Sequence, residues 1–339
     1  MFIMRFIGGK SLMLNQIDSV ICENIDDDIS IVGDLFCGSG VVSQHFKKQG
    51  KKVISNDIMY MSYALVRGMT ELNTAPNFDG LAGIDVFEYL NNISTEIDKS
   101  TAFIYKNYTP NDSCNRMYFQ QNNALKIDAV RQQIEEWLQN KKITESEYYY
   151  LLACLISAVP YVANITGVYA AYLKHWDKRT YNQLKINPIE IINSNKTCES
   201  YNMDAIELCK SQKFDLVYID TPYNQREYSA NYHILETIAK YDMPAINGVT
   251  GMRPYKKSAF CSKSSVKQAF ESLFHNLQSK YAIVSYNNEG LLGTKEMISL
   301  FNHFGTVKLY EYPYRRYKSK IPNNKIGLKE QIYFINLEG

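Results

Sequence analysis

Short apolar, β-branched runs alternate with stretches of helical spacing in two parts of this chain, and the alternation predicts an open α/β sheet. In the first part, 11–22 has helical spacing, with Leu12, Ile17, Val20 and Ile21 on one face. Ile31-Val-Gly-Asp34 then reads as a strand that runs through a glycine turn into a helix over 41–49, with Gly50 as its C-cap. Residues 52–56 make a second strand, ending at the acid Asp57. In the second part, 198–204 reads as a short strand ending in Asp204, and 205–212 as a helix. The run 214–219 reads as a buried strand, because Pro222 forces the chain out of the sheet just beyond it. A helix follows from about Asn231, a strand over 280–286, and an antiparallel hairpin from 306–312 and 331–336.

Residues 74–197 break this alternation. Ala75-Pro76, Asp79-Gly80 and the run 109–113 are turn signals, and 123–140 is an amphipathic helix with Ile127, Val130, Ile134, Trp137 and Leu138 on one face. From Tyr148 to Leu173 there is no charged residue, a length that could span a bilayer. Pro160, Asn164, Thr166 and Gly167 interrupt it, and a buried helix pair broken near Pro160 is the expectation. The segment is read as an inserted, mostly helical subdomain, flanked by 1–73 and 198–339 as one domain.

Composition adds limits. With 339 residues and a net charge of +2, the chain can bury a large core, and any basic surface has to be local. The seven Cys lack the paired short spacing of a zinc site, and without a signal-peptide pattern they read as reduced thiols of a cytoplasmic protein. The 27 Tyr are in the main core filler.

Candidate chemistry clusters at the strand ends. Gly38 and Gly40 between a strand and a helix let a ligand approach the backbone. Ser43 stands where a dinucleotide-binding loop needs its third glycine, which argues against NAD or FAD. Asp57 lies where a ribose-binding carboxylate is usual, although a helix N-cap is the alternative. Gly9-Lys10-Ser11 lacks the first glycine of a phosphate-binding loop; it could present Lys10 to a carboxylate or merely expose it. Asp220-Thr-Pro-Tyr223 places a carboxylate, a fixed turn and a ring at the end of a strand. Basic residues interleave with aromatics at 167–179 and 312–320, and basic residues dot 251–267; these suit phosphate contact or are simply solvated.

In this order, Arg5-Phe-Ile-Gly-Gly-Lys10, Phe36-Cys-Gly-Ser-Gly40 and Asp220-Thr-Pro-Tyr223 resemble the motifs of the Dam-like class of DNA adenine methyltransferases over nearly the whole chain. The strings beginning at Asn224 and Val284 are similar to FokI-type modification methylases in particular. The resemblance implies a Rossmann-like methyltransferase sheet, with 74–197 as the target-recognition insert and S-adenosylmethionine as donor. It implies a donor site of Phe6, Lys10, Asp34, Phe36, Gly38, Gly40, Asp57, Asp204 and Asp220. Asp220, Thr221, Pro222 and Tyr223 would hold a flipped adenine of double-stranded DNA, with no metal. The expected DNA contacts are Lys174, Arg179, Arg226, Arg253, Lys256, Lys257, Arg315, Arg316 and Lys318. A cognate restriction endonuclease is an expected partner, and a membrane is not. Thr221 departs from the family's usual proline. That leaves open a non-catalytic DNA-binding subunit of the same fold, besides methylation of RNA or of cytosine N4.

Overall fold

Seven strands form one sheet in a computed structural model that describes residues 8–225, 227–313 and 327–338. They are β1 (Ile31–Asp34), β2 (Lys52–Asn56), β3 (Glu199–Tyr201), β4 (Lys213–Ile219), β5 (Gln278–Asn287), β6 (Thr306–Pro313) and β7 (Lys329–Asn336). Their order is β3-β2-β1-β4-β5-β7-β6. The first five are parallel, and β7 is antiparallel to both β5 and β6, so the expected hairpin closes one side of the sheet. Chain order reverses between β1 and β4, which opens a crevice at their carboxyl ends.

The continuous apolar runs exist because both faces are covered. Leu216 and Tyr218 pack on one face with Ile17, Val20 and Phe46, from the helices Leu14–Asn24 and Val41–Lys48. Val217 and Ile219 pack on the other with Leu208, Phe270, Leu273 and Phe301, from Ala205–Ser211, Val266–Asn276 and Thr294–Phe301. Successive residues of a strand point to opposite faces, so one strand serves both layers.

Between β2 and β3 no strand is present among the described residues. The helix Gln121–Gln139 buries Ile127, Val130, Ile134 and Trp137, the face expected from the spacing. The uncharged stretch corrects the expectation of a helix pair. It is one helix, Glu145–Ala158, followed by a single tight turn at Val159–Tyr161 and then irregular backbone. A capping box between Thr144 and Glu147 starts the helix, and it is buried without a break from Glu147 to Ile156. Burial on all sides from Tyr148 to Ile156, rather than a bilayer, explains the lack of charge there. Among the described residues no helix is long and apolar enough to cross a membrane. Asn164 organises the irregular part: its amide donates to the carbonyls of Met117 (2.9 Å) and Leu173 (3.0 Å) and accepts from the Asp177 amide (3.0 Å).

These residues do not form a core of their own. One apolar cluster joins Ile127, Val130 and Leu151 to Met61 and Leu65 of the helix Tyr60–Val66, and to Ile234, Leu235 and Ile238 of the helix His233–Lys240. Arg131, almost wholly buried, donates to the carbonyls of Ile238 (3.1 Å) and Ala239 (3.3 Å), satisfying the end of that helix. A β-carbon on Gly68 would lie 2.3 Å from the Tyr149 carbonyl, so only glycine lets the two segments approach this closely.

Candidate active site

A cavity of about 400 Å³ opens at the carboxyl ends of β1, β2 and β4. Lys10, Asp34, Phe36, Gly38, Asp57, Asp204, Asp220 and Pro222 all line it, so residues read from separate motifs meet at one place. Gly40 is a correction: it does not line the cavity but turns the backbone. Its φ is +75°, its amide donates to the Cys37 carbonyl at 2.7 Å, and a side chain there would meet Val66 at 2.8 Å. Phe6 lies outside the described residues.

Three acids shape one side of the cavity. Asp57 accepts the amides of Gly38 (2.9 Å) and Met59 (2.8 Å), so it ties the glycine loop to the start of the next helix. Burial pushes its carboxyl up to about 6, against the pull of these two bonds. Each carboxylate oxygen has two lone pairs, and accepting one amide leaves capacity for a ligand hydroxyl. Asp204 is exposed and caps the helix Ala205–Ser211 through the Ile206 amide at 2.9 Å. Asp34 is buried: one oxygen accepts from Ser43 Oγ at 2.6 Å, and the other has no partner among the described residues. Burial raises its carboxyl to about 7, with the Ser43 bond opposing. An orphaned carboxylate oxygen beside two further acids fits a ligand that brings positive charge and hydroxyl donors.

The tetrapeptide leaves the sheet where Ile219 pairs with Val284. Asp220 is held by Lys10, whose ammonium lies 2.9 Å from Asp220 Oδ1 and 3.0 Å from Glu330 Oε1. Although burial opposes it, the two carboxylates hold Lys10 well above the usual lysine range. Asp220 rises to about 6: burial raises it, Lys10 lowers it and Glu330 raises it again. The Gly-Gly turn thus does present its lysine to a carboxylate, and the carboxylate is the protein's own. Thr221 is buried beneath Asp220, and its hydroxyl has no partner among the described residues. Tyr223 is half-buried, outside the cavity lining, with its ring edge-on to Tyr286 at 6.5 Å and its carbonyl accepting the Leu291 amide at 3.0 Å.

Glu330 escaped the sequence reading. It stands one residue before the expected strand, and only the pairing of Glu330 with Asn287 turns it inward to Lys10. Phe260 was also missed; it lines the cavity with its ring 5.3 Å from Phe36 in an edge contact.

The basic residues divide. Lys256 and Lys257 are exposed at the cavity, and Lys174 is exposed on the insert. Arg253 is a correction, for it is buried and its guanidinium closes on Asp242 at 3.0 and 2.7 Å. A fork engaged in this way cannot also meet a phosphate. Arg179 is half-buried and donates to the Ile165 carbonyl beside Asp177, which fixes its own loop. Arg226, Arg315, Arg316 and Lys318 lie outside the described residues.

A parallel sheet with an antiparallel seventh strand, and an acid cluster at the ends of β1, β2 and β4, make a Rossmann-like sheet with its cavity at the point where strand order reverses. The profile of the D12 class N6 adenine-specific DNA methyltransferases matches residues 6–300, and the chain belongs to this family. It is 44% identical over 340 residues to the type II methyltransferase M.FokI of Planomicrobium okeanokoites, covering 98% of this chain and 52% of that protein. It is 38% identical to the modification methylase StsI of Streptococcus sanguinis, with the same coverage of each. To the type II methyltransferase M.NlaIII of Neisseria lactamica it is 37% identical, over 95% of both chains. The chain therefore spans about half the length of M.FokI and StsI, and nearly all of M.NlaIII.

Proposed function

We propose that the protein methylates the N6 amine of an adenine flipped out of double-stranded DNA, with S-adenosylmethionine as donor, as the modification enzyme of a restriction–modification system. The observation that carries this reading is the position of Asp220, at the end of β4 on the same cavity as Asp34, Asp57 and Asp204. The relatives' names as type II methyltransferases and modification methylases support the biological setting, and with it a cognate endonuclease as partner.

The donor, when bound, supplies an electrophilic methyl group on a sulfonium. Asp57 offers carboxylate acceptors to ribose hydroxyls, Asp204 to the adenine amine, and Asp34 its orphaned oxygen to a cationic group. Asp220 and the Thr221 carbonyl accept hydrogen bonds from the target amine. This draws the nitrogen lone pair out of conjugation with the base and aims it. Positioning and preorganised acceptors of this kind supply several kcal/mol of a barrier. Tyr223 offers its ring as a stacking surface for the extruded base. Lys256 and Lys257 are placed to meet phosphates at the cavity mouth, while the helical insert at 74–197 carries the reading of target sequence.

The test is transfer of labelled methyl to DNA of many sequences, followed by sequencing that detects modified bases. Wild type should leave N6-methyladenine at one recurring site, and Asp220→Ala should leave none while still binding donor and DNA. Transfer that persists in Asp220→Ala would remove the tetrapeptide from the chemistry.

A further inference from the structure

We propose that Glu330 is a positioning residue for methyl transfer, acting through Lys10 to fix the carboxylate of Asp220; this rests on the reading of Asp220 given above. Glu330 is among the most buried acids of the chain, and its Oε1 meets two groups: Lys10 Nζ at 3.0 Å and Ser285 Oγ at 2.9 Å. Lys10 in turn reaches Asp220 Oδ1 at 2.9 Å. The chain of contacts runs from β5 through β7 and the N-terminal turn to the end of β4, and each link is a side-chain oxygen or ammonium.

Stability alone does not account for the cluster, because a buried ion network replaced as a whole by well-packed apolar residues is often no less stable. What Glu330 does supply is direction. Beyond a long contact to the Gly8 carbonyl at 3.4 Å, an ammonium facing one carboxylate can swing around it, whereas one held between two carboxylates has a defined position, and Asp220 inherits it. Ser285 prevents the same freedom at Glu330. An acceptor that must meet one amine proton gains from being held before the base arrives, since misplacement by about 1 Å can cost about 100-fold in rate.

The charges give the arrangement a signature. Facing Asp220 are Lys10 from the N-terminal turn, Glu330 from β7, Tyr218 from β4 and Tyr228 from the segment after the tetrapeptide, with Asp34 at the end of β1. Burial holds both tyrosines well above their usual range, so they stay neutral at ordinary pH. Glu330 pushes the Asp220 carboxyl up and Lys10 pulls it down. Removing the Glu330 charge while keeping Lys10 must therefore lower the pH at which Asp220 ionises.

The experiment measures kcat against pH for wild type, Glu330→Gln, Glu330→Asp and Asp220→Ala, with donor affinity by calorimetry. In Glu330→Gln kcat should fall by about 10- to 100-fold, with donor affinity close to wild type and the acid limb of the profile moved to lower pH. Glu330→Asp, which withdraws its carboxylate from Lys10 by one methylene, should shift both quantities the same way and by less; it serves as the test if the glutamine variant does not fold. Wild-type kcat and an unmoved acid limb in either folded variant would overturn the proposal. A silent Asp220→Ala beside such a result would sink the role of Glu330 alone. An active Asp220→Ala would instead remove the reading on which it rests.

Discussion

Asp57 Oδ2 accepts the Gly38 amide at 2.9 Å, so the acid ending β2 holds the glycine loop that follows β1. The carboxylate therefore holds the loop, and under the proposed function it would also meet the donor. Asp57→Asn keeps an acceptor for the amide and loses the charge, while Asp57→Ala loses both. Donor affinity by calorimetry should fall by about 1–3 kcal/mol in Asp57→Ala and by less in Asp57→Asn. Equal affinity in all three proteins would take Asp57 out of the donor site.

Arg253 and its neighbours Lys256 and Lys257 should separate in a salt titration. Arg253 is buried against an exposed Asp242 that water can solvate, so Arg253→Met should cost about 1 kcal/mol or less of folding stability. It should leave the salt dependence of DNA binding unchanged. Replacing Lys256 and Lys257 together by alanine should do the reverse. Affinity should drop for all sequences alike, and the slope of log K against log salt should flatten by about 2. A flattened slope in Arg253→Met would show that its fork reaches DNA after all.

Thr221 carries a buried hydroxyl without a partner among the described residues. Thr221→Val removes that hydroxyl at nearly constant shape and should raise stability by about 1 kcal/mol in urea unfolding. Its main-chain carbonyl is untouched, so methyl transfer should be retained. Thr221→Pro keeps the carbonyl and stiffens the turn, so activity there should be equal or higher. Silence in wild type with activity in Thr221→Pro would mean a methyltransferase fold that has lost its chemistry at one residue.

Asp34 makes a prediction about pH and stability. Its carboxyl is raised in the folded protein to about 7 from the ordinary 3.8. Between these values the unfolded chain is ionised while the folded one still holds the proton. The contribution is complete below the unfolded value and is lost as pH rises to about 7, at no more than about 1.4 kcal/mol per pH unit. Asp34→Asn has no such slope. Its stability relative to wild type should grow from pH 4 to 7 and then level off, as read by denaturant unfolding. A difference independent of pH would mean that Asp34 titrates normally.

The sequence made the strand ends legible because their causes are local. A buried strand announces itself by apolar runs, and a proline or glycine after it fixes the exit, so Asp34, Gly38, Asp57, Asp204 and Asp220 could be placed on one edge. The partner of Lys10 could not. It depends on Asp220 and Glu330 being brought together from distant parts of the chain, and on a strand register that decides which way Glu330 points. Charge alone also failed to separate Arg253 from Lys256, since a basic residue in a loop carries no mark of whether an acid awaits it. The stretch from Tyr148 to Leu173 misled for a related reason. Its lack of charge reports enclosure, but the bend after Ala158 is set by Asn164 and its three distant backbone partners.

The apolar cluster that joins Ile127 and Leu151 to Met61 and Ile238 bears on how this family could be re-engineered. Cutting the chain at the ends of the insert would leave Leu65, Leu235 and the Arg131 binding carbonyls facing water, and would carry off the helices that cover them. A chimera that exchanges residues 74–197 between two relatives therefore needs matching apolar faces on the helices Tyr60–Val66 and His233–Lys240, to which the segment is fitted. The portable unit is larger than residues 74–197.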